Sequence, residues 1–217
     1  MLRTGRQHLA NSTVRAGPPQ TKTLDVVMTR TVAAFVTVLA VSPAWPQGLD
    51  NAPDAKKARE ELCQRVLCRQ PSTVKVLLKD KRILEVPFQD VSPIVLPNGW
   101  VTILPGEEIH IAFDLDGDTV RNPHAIPKAT EAKNTLSFRL SQDPSSADSL
   151  LVVNSTFEHA LKFDLGMMLP DNERILKTSS CPVMGGKSLY ERWPHPIFQI
   201  VAARFRVLPP GSSLKCE

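Results

Sequence analysis

From Ser72 onward the period of the apolar residues changes to two, and no second helix is read there. Over residues 109–115, for example, Ile109, Ile111, Phe113 and Leu115 alternate with His110, Ala112 and Asp114. Successive side chains on a strand point to opposite faces, so this pattern describes strands with one buried and one wet face. Antiparallel sheets accept such strands. Residues 73–79 and 82–87 flank Asp80-Lys81 and read as a hairpin, and 100–104 with 109–115 read as a second around Pro105-Gly106-Glu107. Further strands are expected over 135–141 with Leu136, Phe138 and Leu140 inward, 149–154, and 160–168 with Leu161, Phe163 and Leu165 inward. Residues 174–178 make a weaker strand candidate and 197–207 a long final one.

Many short strands separated by turn signals, without a second helix, predict a mainly β chain. The expected architecture is an antiparallel immunoglobulin-like β-sandwich over residues 72–217, with one short N-terminal helix. The resemblance is one of architecture, because the cysteine and tryptophan spacing of antibody domains is absent. Residues 45–71 supply a Pro-rich lead-in and then the helix. Asp54 is its expected N-cap, and Ala55, Ala58, Leu62 and Val66 share one face. The helix is expected to end near Arg69, ahead of Pro71.

The N-terminal stretch is of a different kind. Residues 28–44 combine Arg30, an uncharged run containing Val32, Phe35, Val36, Val38, Leu39 and Val41, and the small residues Ser42 and Ala44. That order is the pattern of a secretory signal peptide, with cleavage expected after Ala44. The run falls short of the about 20 apolar residues of a membrane span, so the mature chain is expected to carry none. Residues 1–27 are polar and aperiodic, which fits an early-assigned start or an extended n-region.

All four cysteines, Cys63, Cys68, Cys181 and Cys216, fall in the exported part. An even count in an exported chain favours two disulfides. Cys216 is penultimate, and a chain end frays unless it is tied down, so Cys181–Cys216 with Cys63–Cys68 is the favoured pairing. The local pair carries a condition. Residues five apart on a helix lie more than about 7 Å apart, so the helix must end between Cys63 and Cys68.

Charge placement narrows the function. The formal net charge is +4, from 26 Lys and Arg against 22 Asp and Glu. Five of those cations and one acid precede Trp45, leaving 21 of each sign behind them. A neutral body lacks the phosphate-neutralising charge that nucleic-acid binding requires, so no such partner is expected. Asp114, Asp116 and Asp118 are spaced like calcium ligands, but Thr119 and Ala125 stand where a calcium loop needs Gly and Glu. A tight turn at Asp116-Gly117 is expected instead. His110, His124, His159 and His195 show no metal-ligand spacing, and no Gly-x-Ser-x-Gly elbow occurs.

Residues 179–196, reading SSCPVMGGKSLYERWPHP, draw attention as a Pro-restrained loop carrying Tyr190, Trp193 and His195. Rigid aromatics offer binding area at small entropic cost, so these three are the candidate binding residues, with Trp193 as anchor. A reduced Cys181 with Met184 and His195 would instead form a soft copper site. The competing reading is a structural loop whose Trp193 packs over the core. Together these features predict an exported, non-catalytic binding or envelope-associated module, periplasmic or secreted and without a cofactor. Its partner would be a protein, peptide or glycan of the cell envelope. An enzyme with a loop-built site and a periplasmic copper-handling protein are the alternatives.

Overall fold

The structure, a computed structural model, describes residues 53–128 and 133–216. The segments read as an early start, a signal peptide and most of the lead-in lie outside the described residues. Helix α1 (Pro53–Cys63) opens the described chain with Pro at its first position, where a missing N–H costs nothing, and Asp54 in its first turn. It stops at Cys63, well before the expected Arg69. The Cys63–Cys68 disulfide, with a Cα separation of 5.5 Å, requires that early end.

The strands are β1 (Cys68–Arg69), β2 (Ser72–Leu77), β3 (Ile83–Phe88), β4 (Ser92–Pro93), β5 (Val101–Ile103), β6 (Glu108–Asp116) and β7 (Thr119–Ile126). They continue as β8 (Thr135–Gln142), β9 (Ser149–Ser155), β10 (Leu161–Leu169), β11 (Asn172–Thr178), β12 (Ser188–Trp193) and β13 (Gln199–Val207). All pairings are antiparallel. A four-stranded sheet takes the order β11-β10-β13-β5, and a five-stranded sheet the order β12-β9-β8-β6-β7. Two small sheets, β1-β4 and β2-β3, sit outside them.

The inner faces of the two large sheets share one core. Phe138 of β8 meets Phe163 of β10 edge-on at 5.8 Å, and Phe113 of β6 meets Phe205 of β13 at 4.8 Å. Leu136, Phe138, Leu140, Leu161, Phe163 and Leu165 are buried, as the alternation requires. Leu115 is the exception at 39% exposure. A bulge between Ala112 and Asp114 turns the end of β6 away from the core. A smaller core of Val74, Val76 and Leu104 holds the β2–β3 hairpin, helped by the Gln142 amide, which accepts from Leu77 N at 2.9 Å and donates to Leu77 O at 3.2 Å.

Three expectations are corrected. Strands β5 and β6 make no hairpin, since β5 pairs with β13 and β6 with β7 and β8. The turn at Gly106 is a corner between sheets. Residues 119–126, unassigned from sequence, form the edge strand β7, whose Pro123 suits an edge. Residues 179–196 are not all loop, because β12 pairs along β9 from Ser188↔Asn154 to Trp193↔Ser149.

The turn before β12 depends on one close approach. A Cβ on Gly185 would lie 2.2 Å from the Glu158 carbonyl oxygen and 2.9 Å from that of Phe157. Both are backbone atoms and cannot step aside cheaply. Gly185→Ala is expected to cost about 1–3 kcal/mol, the usual penalty of overpacking, read as a lowered denaturation midpoint. An unchanged midpoint would show that the two turns separate freely.

Candidate functional site

The structure disperses the sequence-derived candidates. Tyr190 and Trp193 lie three apart on β12 and therefore face opposite sides of the sheet. Tyr190 is 66% exposed, on the outer face. Trp193 is 7% exposed and belongs to the shared core, with its indole N–H donating to Thr178 Oγ1 at 2.9 Å. His195 follows β12, half-buried, its backbone oxygen accepting from Ser149 Oγ at 3.0 Å. The three do not form one surface. Cys181 is oxidised to Cys216, which removes the sulfur ligand the copper reading requires. Residues 114–118 end β6 and turn through Gly117, at φ 59°, and Asp118, the geometry of a two-residue Gly-x hairpin. Asp116 pairs with Arg121 at 2.9 Å, and Asp114 accepts from Asn122 Nδ2 at 2.8 Å. No group of three metal-binding side chains occurs among the described residues.

His110 and Ser137 share a hydrogen bond of 2.8 Å across β6 and β8. They stand in a polar row on the outer face of the five-stranded sheet, which continues through Asn154 of β9 to Ser188 of β12, itself bonded to Asn154 at 2.6 Å.

The main concavity is elsewhere, a groove of about 790 Å³ between α1, the end of β3, β4 and the following loop. Its apolar lining comes from Ala58 and Leu62 of α1, from Phe88, and from Leu96, Pro97 and Leu104. Phe88 is held in place by stacking on Phe198 at 6.2 Å. A second hollow of about 280 Å³ adjoins it, sharing Leu62, Leu96 and Pro97 and adding Arg65 and Val66.

Arg69 fixes the groove floor. Its Nε donates to Glu107 Oε2 at 2.8 Å and its Nη2 to Oε1 at 2.6 Å, a two-pronged pair in which Arg69 is 11% exposed. Its Nη1 donates to Thr102 Oγ1 at 2.9 Å and Pro93 O at 3.3 Å, and Nη2 also to Thr102 O. Leu104 N donates to the same Glu107 at 2.6 Å. Every prong is therefore satisfied inside the protein, so Arg69 braces β1, β4, β5 and the 104–107 corner rather than offering charge to a ligand.

Paired charges sit at the lip. Asp90 pairs with Lys56 at 3.0 Å and Arg59 at 3.7 Å, linking α1 to the loop after β3. The hydrogen bond and charge of Asp90 hold the Lys56 ammonium above its ordinary value. Arg65 lines the adjoining hollow, and Glu60 of α1 also acts on the Lys56 ammonium, so charges of both signs surround the lip. Sequence reasoning missed this site because its residues run from Ala58 to Gln199, and the Arg69–Glu107 contact spans 38 positions. The one local signal was the Cys63–Cys68 staple that sets α1 over it.

No family model matches the chain, and no curated protein or solved structure matches it either.

Proposed function

We propose that this protein is an exported, non-catalytic binding module, and that its site is the groove along α1, which takes an extended peptide segment of an envelope partner. The supporting observation is the groove itself, at about 790 Å³ within the size range of built ligand sites, with apolar walls and a floor locked by Arg69. Two disulfides and no helix among the described residues long enough to cross a membrane fit an oxidising, extracytoplasmic setting. The immunoglobulin-like description we keep for the layering alone, four antiparallel strands over five around one core. In an immunoglobulin constant domain the four-stranded sheet takes strands one, two, five and four, whereas here it takes β11, β10, β13 and β5.

The His110–Ser137 pair is the observation that favours the enzyme reading. Neither residue lines either hollow, so binding is the stronger conclusion.

A displayed peptide library panned on the purified protein and on Ala58→Trp separates the outcomes. Ala58 is exposed on α1, so the larger ring fills the groove without disturbing the core. Enriched peptides with apolar anchors, binding the filled variant at least tenfold more weakly, are expected. Absence of a consensus, or equal binding to both proteins, would remove the groove as the site.

A further inference from the structure

The outer face of the four-stranded sheet carries a further hollow, of about 310 Å³, that shares no lining residue with the groove or the hollow adjoining it. Its floor exists because side chains are missing. Gly166 of β10 lies between Lys177 of β11 and Val201 of β13, and Ala203 stands beside Asp164 in the next row. Ile175 leans across the glycine so closely that a Cβ there would lie 2.5 Å from its Cγ2. Trp100, just before β5, lines the opposite side.

The lip of this hollow contains a strained arginine. The β10–β13 register pairs Lys162 with Arg206 and Asp164 with Ala203, so β13 bulges over two residues opposite one. Arg204 occupies the bulge at φ 54°, a left-handed conformation that a long side chain adopts only at a cost in free energy. The bulge puts the consecutive residues Ala203 and Arg204 on the outer face while Phe205 still packs on Phe163 at 5.6 Å. Arg204 and Arg206 both donate to Asp164, the latter at 3.4 Å. Burial acts to raise the Asp164 carboxyl, but the two guanidiniums together hold it below the usual range. Lys177 has no ion pair of its own among the described residues. The lining therefore sets the two cations Arg204 and Lys177 against Asp164, beside an indole, with Arg206 bracing Asp164 from outside it.

From this arrangement we propose that the hollow binds a carboxylated sugar ring, a uronic-acid unit. A planar guanidinium already oriented by Asp164 matches a carboxylate with two parallel hydrogen bonds, and Lys177 adds a point charge. The indole offers an apolar wall for the C–H face of a pyranose. At about 310 Å³ the volume lies at the lower end for ligand pockets, the scale of one ring rather than of a peptide or nucleotide. The same carboxylated ring occurs as a free sugar acid and as a unit of an acidic polysaccharide.

Calorimetric titration with galacturonate, with its hexamer and with a neutral glucose hexamer tests the assignment. The acidic ligands should bind, the neutral hexamer should not, and raising salt to 0.5 M should weaken the interaction. Hexamer binding at least tenfold tighter than monomer assigns the site to a polysaccharide, while equal affinities assign it to the free acid. Arg204→Gly is the decisive variant. Glycine accepts the left-handed bulge, so the melting temperature should hold or rise while uronate affinity falls at least tenfold. Trp100→Ala should lose binding, whereas the filled-groove variant Ala58→Trp should keep it, which separates this site from the peptide groove. No heat with either acidic ligand, equal binding of the neutral hexamer, or full affinity in Arg204→Gly would overturn the proposal.

Discussion

Trp193→Ala is expected to destabilise the protein by about 3–5 kcal/mol, the range for truncating a large buried aromatic. Trp193 ends β12 in the five-stranded sheet, and its indole N–H reaches Thr178 at the end of β11 in the four-stranded sheet. It is 7% exposed and packed within the core shared by both sheets. Removing it opens a cavity between the sheets and leaves the Thr178 hydroxyl without that donor. Urea unfolding should show a lower midpoint at unchanged slope. A loss below about 1 kcal/mol would mean that the site collapses to fill the gap. Such a loss together with failed ligand capture would restore Trp193 as a binding anchor.

Removing the Cys181–Cys216 disulfide, as Cys181→Ser/Cys216→Ser, should cost about 4 kcal/mol, against about 2 kcal/mol for Cys63→Ser/Cys68→Ser. The difference follows from loop entropy, since the first pair joins residues 35 positions apart and the second residues 5 apart. The structure adds a second reason. The C-terminal tail, held by Cys216 and by Leu208 N donating to Ala160 O at 2.8 Å, covers the buried Lys162. The Lys162 ammonium donates to Ser180 O and, at 3.3 Å, to Lys215 O. Once the tail is released, the ammonium loses one acceptor and its cover. Double replacements avoid stray thiols, and denaturant unfolding of the two variants side by side gives the comparison. Equal losses would show that the unfolded chain is already compact around residues 181–216.

For strands with clear alternation, existence and facing were written in the sequence, because a period of two is a local property. Phe138, Phe163 and Ile111 declare their inward side without reference to any partner, and all three are fully buried. The condition that α1 end between Cys63 and Cys68 was likewise local, since a bridge across five residues is incompatible with continuous helix, whereas apolar spacing alone carried it to Arg69. Partner choice was not local. The residues of β5, all three buried, do not say which strand lies beside it, and pairing with β13 rather than β6 is decided by how the two sheets close over the phenylalanine core. Strand β12 was hidden for a related reason: Gly, Pro and Cys around it read as loop punctuation, while its strand character comes from pairing with β9. Both hollows belong wholly to the tertiary structure. Arg69 meets Glu107 across 38 positions, and the bulge that turns Arg204 outward occurs in a run without Gly or Pro. Local chemistry determines what each residue can do, and only the closed fold determines which residues do it together.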